Sequence, residues 1–170
     1  MKYKCIDNQE FEFGNRKIVP IRMQDRHDIL KWRNEQIYHL RQVELLTEEK
    51  QDYYFENIVS KLFDQEKPSQ ILFSYLENNI CIGYGGLVHI NWIDKNAEIS
   101  FIMDTTLENS EFQLHWHNFL KMIEEVAFNE LCFHKIFVFA FDVRPHLYEP
   151  LEKAGYNLDE IGRASCWEKV

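Results

Sequence analysis

Apolar positions along the chain follow two periods, and the changes from one to the other divide it into elements. Phe112, Trp116, Phe119, Leu120, Ile123, Ala127 and Leu131 recur at helical spacing, mostly three or four residues apart, which marks one buried helix face. Such a face must rest on a sheet, and strand-like runs stand on either side of it. Ile80, Ile82, Leu87, Val88, Ile90 and Trp92 supply the first run, and Ile99, Phe101, Ile102 and Met103 the second. The turn formers Asp94, Lys95 and Asn96 between them predict an antiparallel hairpin over residues 81–104. The rest of the chain is organised around this hairpin. Residues 135–143 (KIFVFAFDV) are the most continuous β-type run, expected as a central strand covered on both sides.

The remaining elements are shorter. Residues 17–22 (KIVPIR) read as a strand that Pro20 confines to an edge or an end. Asp25, with Asp28 three residues later, predicts the N-cap and first turn of a helix carrying Ile29, Leu30, Trp32 and Arg33. Thr47, followed by Glu48 and Glu49, opens a second helix with Tyr54, Ile58 and Leu62 on one stripe. Residues 70–77 form a strand that Asn78 and Asn79 turn back into the hairpin. After the long helix, Pro145 opens a short helix to Ala154 with Gly155 as its cap, and residues 161–167 supply a last strand. Gly83, Gly85 and Gly86 lie inside the first hairpin strand. Glycine there marks either the close approach of a ligand or backbone, or room for a bulky residue on a crossing helix.

One hundred and seventy residues, 45% of them hydrophobic, are expected to form one domain, with residues 1–16 as an N-terminal extension. A net charge of -9 argues against nucleic acid and anionic membranes as partners and mildly favours a cationic one. No apolar run approaches the roughly 20 residues of a membrane span, and the first residues lack a signal-like apolar stretch, so a cytoplasmic protein is expected. Cys5, Cys81, Cys132 and Cys166 are scattered without metal-ligand spacing and read as reduced thiols. His115 and His117, two apart on a helix, point to different faces and do not form a metal site.

The order is then strand, helix, helix, three strands, long helix, strand, short helix, strand. With the residues that fill it, this order resembles the GNAT superfamily of N-acetyltransferases. The similarity extends to the branch of RimJ/RimL ribosomal-protein acetyltransferases and bacterial nucleotide-aminosugar N-acetyltransferases. The matching pieces are IVPIR, the segment from Asp25 to Glu35 ending in WRNE, IGYGGL at 82–87, AEISFIMD at 97–104, EEVAFNELCFHKI at 124–136 and LEKAGY at 151–156. Together they span roughly residues 17–167.

The resemblance implies an α/β fold with a mixed, mostly antiparallel sheet that splays between its fourth and fifth strands, with acetyl-CoA in the opening. It implies a bulge in the fourth strand whose backbone, at Phe101, Ile102 and Met103, meets the cofactor, and an amine that attacks the thioester directly. Glu98 on that strand is the first choice of base. Its other reading is a surface carboxylate, since Ala97, Ile99 and Phe101 alternate against Glu98 and Ser100. His89 on the neighbouring strand is the second choice, or a packed bystander.

Two pieces depart from the family pattern. The window for the glycine-rich pyrophosphate loop is EFQLHW at 111–116, which has no glycine and begins with an acid. Gln113, Leu114 and His115 are the residues left there to meet the cofactor. In the short helix, Arg144 and Leu151 stand at the positions of the family's asparagine and tyrosine. Tyr148 is the hydroxyl that could protonate the departing thiolate, and Arg144 could reach a phosphate.

Trp32, Arg33, Asn34 and Tyr38 fall where family members shape the acceptor pocket, although such aromatics more often serve a core. The amine expected is a peptide N-terminus, an aminosugar or a polyamine. A homodimer through the tail strand is left open. Beside the N-acetyltransferase stands a second reading: a GNAT-fold binding or partner-recognition module that has lost acyl transfer.

Overall fold

The computed structural model of the protein describes residues 1–141, 147–160 and 164–170. Strands β1 (Phe11–Phe13) and β2 (Arg16–Pro20) lead through a tight turn into helix α1 (Arg26–Glu35). A second tight turn, Ile37–His39, precedes α2 (Glu48–Tyr54), which continues through a wide turn at Phe55–Val59 into α3 (Ser60–Leu62). Strands β3 (Ile71–Glu77), β4 (Ile80–Asn91) and β5 (Asn96–Met103) follow, then the long helix α4 (Thr105–Glu124). The chain ends with β6 (Lys135–Phe141), α5 (Tyr148–Lys153), β7 (Asn157–Glu160) and β8 (Ala164–Lys169). The described strands form one sheet in the order β1, β2, β3, β4, β5, β6, β8, β7, antiparallel except between β5 and β6. This is the expected α/β domain: a mixed, mostly antiparallel sheet flanked by helices.

Register decides what each face meets. Phe73 and Tyr75 of β3 pair with Gly85 and Gly83 of β4, which pair in turn with Phe101 and Met103 of β5. These residues share the face on which α4 lies. The Phe101 ring stacks on Phe119 at 4.3 Å and on Trp116 at 5.5 Å. A Cβ on Gly85 would stand 2.8 Å from the Phe119 ring and 2.1 Å from the Ser100 carbonyl oxygen, so this glycine makes room for the crossing helix. At Gly86 the crowding comes from the neighbouring strand, with the Ile71 carbonyl oxygen 2.0 Å from where a Cβ would be. The opposite face, bearing Tyr84, Glu98, Ser100 and Ile102, looks toward α1 and α2.

Residues 1–16 pack into the domain. The Tyr3 hydroxyl donates to the Leu72 carbonyl and accepts from the Leu72 amide, both at 2.9 Å, and its ring stacks on Phe63 at 4.4 Å. Thr47 caps α2 as expected, its hydroxyl accepting the Lys50 amide at 3.3 Å. Asp25 does not cap α1: its buried carboxylate accepts both the Nε and an Nη of Arg22, at 2.7 and 2.8 Å. Gly155 follows α5 with φ +84°, the left-handed cap its position predicts. Pro145 lies outside the described residues.

Strand β6 is central, but it is covered on one face only. Ile136 and Val138 are buried, whereas Phe139 is more than a third exposed because its side of the sheet faces an opening. No described helix is long and apolar enough to cross a membrane.

Candidate active site

Strands β5 and β6 pair over three positions, Asn96 with Lys135, Ala97 with Ile136 and Glu98 with Phe137. Beyond Glu98 they part, β5 running on to Met103 and β6 to Phe141. These are the fourth and fifth strands of the sequence expectation, and the splay lies between them. A cavity of about 460 Å³ opens there, walled by Ile99 to Ile102 of β5, Val138 and Phe139 of β6, and residues of α1, α2 and α4.

The backbone of β5 divides between two edges. The Asp104 amide donates to the Ile82 carbonyl at 2.8 Å, and alternate residues of a strand address the same edge. Ile102 and Ser100 therefore address β4, whereas Phe101 and Met103 address the opening. Gln36 occupies the Met103 carbonyl, its Nε2 donating at 2.7 Å. Of the three expected cofactor contacts, Phe101 thus turns its backbone to the cavity, Met103 does so with its carbonyl engaged, and Ile102 turns away. The expected bulge at Phe101 to Met103 is not there, because the ladder from Glu98 to Met103 runs without a shift. The irregularity falls on β4 between Val88 and Asn91, where His89 takes φ +48°.

That irregularity joins the two base candidates. Val88 pairs with Glu98, so simple alternation would send His89 to the other face. The left-handed backbone brings it round, and His89 Nδ1 lies 2.7 Å from Glu98 Oε2. Arg41 closes the group, its guanidinium 3.2 Å from Glu98 Oε1 and 5.2 Å above the Phe139 ring. Glu98 keeps 13% side-chain exposure, whereas His89 keeps 67%. A carboxylate accepts and does not donate, so Nδ1 carries the proton and the Nε2 lone pair remains available.

The other sequence-predicted residues divide. Arg33 lines the cavity. Trp32 is buried in the core, and Asn34 is occupied in holding the loop before α2, bonding the Leu46 amide and carbonyl, each at 2.9 Å. Tyr38 is exposed against the His39 ring. The Tyr148 ring lies 5.3 Å from Trp167 and is not part of the described cavity wall, where the hydroxyls among the described residues are those of Ser100, Tyr54 and Tyr84. Burial holds the Tyr84 phenol above its ordinary value, with the charge of Arg33 partly offsetting this. Arg144 lies outside the described residues.

Gln113, Leu114 and His115 do not form a loop. Helix α4 starts at Thr105, directly after β5, so residues 111–116 are two to three turns inside it with their amides committed to the helix. Gln113 and Leu114 point to solvent, and the fully buried His115 meets the Tyr75 hydroxyl at 3.0 Å. The true start of α4 is rich in acids. The Asp104 carboxylate accepts the Thr106 amide at 2.8 Å, Glu35 accepts the Thr105 hydroxyl at 2.5 Å, and Glu108 stands in the first turn.

Sequence reasoning missed Trp116 as a site residue. It lines the cavity, and its buried indole Nε1 has no hydrogen-bond partner among the described residues. Its place on the apolar stripe marked it as core. The Cys81 thiol, pushed up to about 12 by burial and the nearby Asp25, has no nucleophilic part to play. Among the described residues no cluster of metal ligands occurs.

Residues 18–165 match the family described as the acetyltransferase (GNAT) domain. The chain belongs to the GNAT family. No curated protein matches this GNAT chain by sequence. Among solved structures it is similar to a spermidine N-acetyltransferase from Vibrio cholerae in complex with CoA and spermine. That likeness has a TM-score of 0.77 at 14% identity and covers 91% of this chain and 95% of that one. A dodecameric structure of the Vibrio cholerae spermidine N-acetyltransferase gives 0.72 at 18% identity, covering 92% and 94%. A GNAT-family acetyltransferase from Bacillus anthracis gives 0.71 at 14%, covering 95% and 98%. At such identities the likeness concerns the fold.

Acetyl-CoA is the co-substrate expected of this family. In this GNAT domain the opening suits its acyl-bearing arm, because the Phe101 backbone and the unpartnered Trp116 indole stand in its wall beside the apolar Ile99, Ile102 and Val138. The helix that follows does not suit its diphosphate, since the Asp104 carboxylate already takes the Thr106 amide and, with Glu35 and Glu108 close by, would repel a second anion.

Proposed function

We propose that this chain is an N-acetyltransferase that transfers the acetyl group of acetyl-CoA to a primary amine by direct attack. The observation that carries the reading is the His89 and Glu98 pair on the wall of the cavity between β5 and β6. Acetyl-CoA, when bound, supplies an activated acyl group. The rest falls to the chain. Glu98, paired with Arg41, fixes the imidazole, and His89 Nε2 takes a proton from the acceptor's ammonium form, so that the neutral amine attacks. As the C–N bond forms and the C–S bond breaks, the amine's surplus proton passes to the departing thiolate, which leaves as CoA thiol. The Phe101 backbone orients the acyl carbonyl.

A peptide N-terminus, an aminosugar and a polyamine are the acceptor classes to test, the last prompted by the spermidine N-acetyltransferases of like fold. The branch of RimJ/RimL type and a cytoplasmic location belong to the same reading. Self-association, if the chain makes it, is best served by β7 at the outer edge of the sheet.

A second reading, a binding module without acyl transfer, is favoured by the carboxylates at the start of α4. Calorimetric titration with acetyl-CoA and with CoA, followed by thiol release over an amine panel, separates the two. One-to-one binding with amine-dependent thiol release supports the enzyme. No binding at millimolar acetyl-CoA, or binding without release for any amine, supports the module.

A further inference from the structure

Arg33 stands apart from the other described arginines of this chain. Arg16 pairs with Glu77 at 2.7 Å, Arg22 with Asp25 at 2.7 Å, Arg26 with Asp52 at 2.6 Å and Arg41 with Glu98 at 3.2 Å. Among the described residues Arg33 has no carboxylate partner, although it is half-buried and the chain carries 28 acids against 19 bases. Its Nε is buried without a hydrogen-bond partner, and the group it faces is the neutral phenol of Tyr84. A guanidinium drawn partly out of water without a counter-charge is unfavourable, and among the described residues only the neutral Tyr84 phenol bonds to it.

Its position shows what could. Arg33 lines the cavity that holds His89 and Glu98, and it also lines an adjoining groove of about 580 Å³ along α2. Among the described residues Glu98 is the single carboxylate on the cavity wall, and it is already paired with Arg41, so this described wall is cationic inside a protein of net charge -9. A ligand that is cationic throughout meets repulsion there. One that presents an amine to His89 and an acid to Arg33 completes both groups, and the planar guanidinium matches a carboxylate or phosphate with two parallel hydrogen bonds.

We propose that the acceptor amine also carries an acidic group, a carboxylate or a phosphate, and that Arg33 binds it. This rests on the acetyltransferase reading and narrows its acceptor away from polyamines.

The test compares matched amines: a dipeptide with its C-terminal amide, and glucosamine 6-phosphate with glucosamine, with spermidine alongside. Each is assayed with the wild type, Arg33→Met and Arg33→Lys, and CoA affinity and the urea midpoint are measured for all three proteins. In the wild type kcat/KM is at least tenfold higher for the acidic member of one pair. Arg33→Met brings that ratio to within about twofold of one, Arg33→Lys falls between, and CoA affinity is the same throughout. Equal rates within both pairs, a preference that survives Arg33→Met, or spermidine as the best acceptor overturns the proposal. If Arg33→Met weakens CoA binding in place of changing the ratio, the anion is the cofactor's phosphate and the proposal also falls. If no amine is acetylated, the acyl-transfer reading fails by itself. Calorimetric binding of the acidic compounds to the wild type and not to Arg33→Met then upholds the anion site, and no binding overturns it.

Discussion

His89 Nδ1 lies 2.7 Å from Glu98 Oε2, across the irregular stretch of the ladder between β4 and β5. The pair leaves Nε2 exposed as the proton acceptor, with Glu98 as the group that positions it. His89→Gln is expected to lower kcat/KM by about 100-fold, the usual contribution of a positioned base. Glu98→Gln retains an oxygen for the Nδ1 proton and is expected to lose about tenfold, chiefly in kcat. Because the His89 side chain is 67% exposed, its urea midpoint should stay at the wild-type value. Steady-state kinetics with the best acceptor decide the matter, and full activity in His89→Gln would leave the pair a structural contact.

The Trp116 indole is a buried donor without a partner among the described residues, its ring stacked on that of Phe101 in the cavity wall. Trp116→Phe keeps a ring on Phe101 and removes the N–H. Loss of one hydrogen bond to a bound ligand, about 1 kcal/mol, predicts roughly fivefold weaker acetyl-CoA binding by calorimetry. Unchanged affinity would assign the indole to packing.

Burial and the charge of Arg16 hold the His115 imidazole below its ordinary value, with Glu111 partly offsetting them. The unfolded chain binds a proton there near pH 6.5, while the folded chain resists it until lower pH. The contribution of this site is therefore fully present above about pH 6.5 and is lost as pH falls below it. Urea unfolding at pH 7.5 and 5.5 should show a larger drop in the wild type than in His115→Gln, which keeps an acceptor for the Tyr75 hydroxyl. Equal drops would place the acid sensitivity elsewhere.

Periodicity made the long helix and the hairpin legible, because Phe112, Trp116, Phe119 and Ile123 must share a face whatever lies beneath them. Its start was not legible. The expectation placed a loop at 111–116, whereas Asp104 caps α4 one residue after β5 ends and leaves no room for one. Strands β1 and β7 are three and four residues long, too short for alternation to show. Asp25 has the composition of a cap, but Arg22 three residues earlier claims its carboxylate. His89 and Glu98 were both visible as chemistry, yet their contact depends on one left-handed residue that alternation cannot foresee. That Arg33 has no carboxylate partner among the described residues is likewise a property of the assembled structure, since acids are plentiful in the chain and the described ones pair elsewhere.

The short seam between β5 and β6 bears on more than where a ligand sits. Three paired positions hold β6 to the rest of the sheet, and β6 in turn carries β8 and β7. As a parallel pair, the seam forms only after the whole of α4 has crossed over. Anything that lodges between the parted strands acts as a rivet across a short joint of the sheet, and its affinity reappears as resistance of that joint to opening.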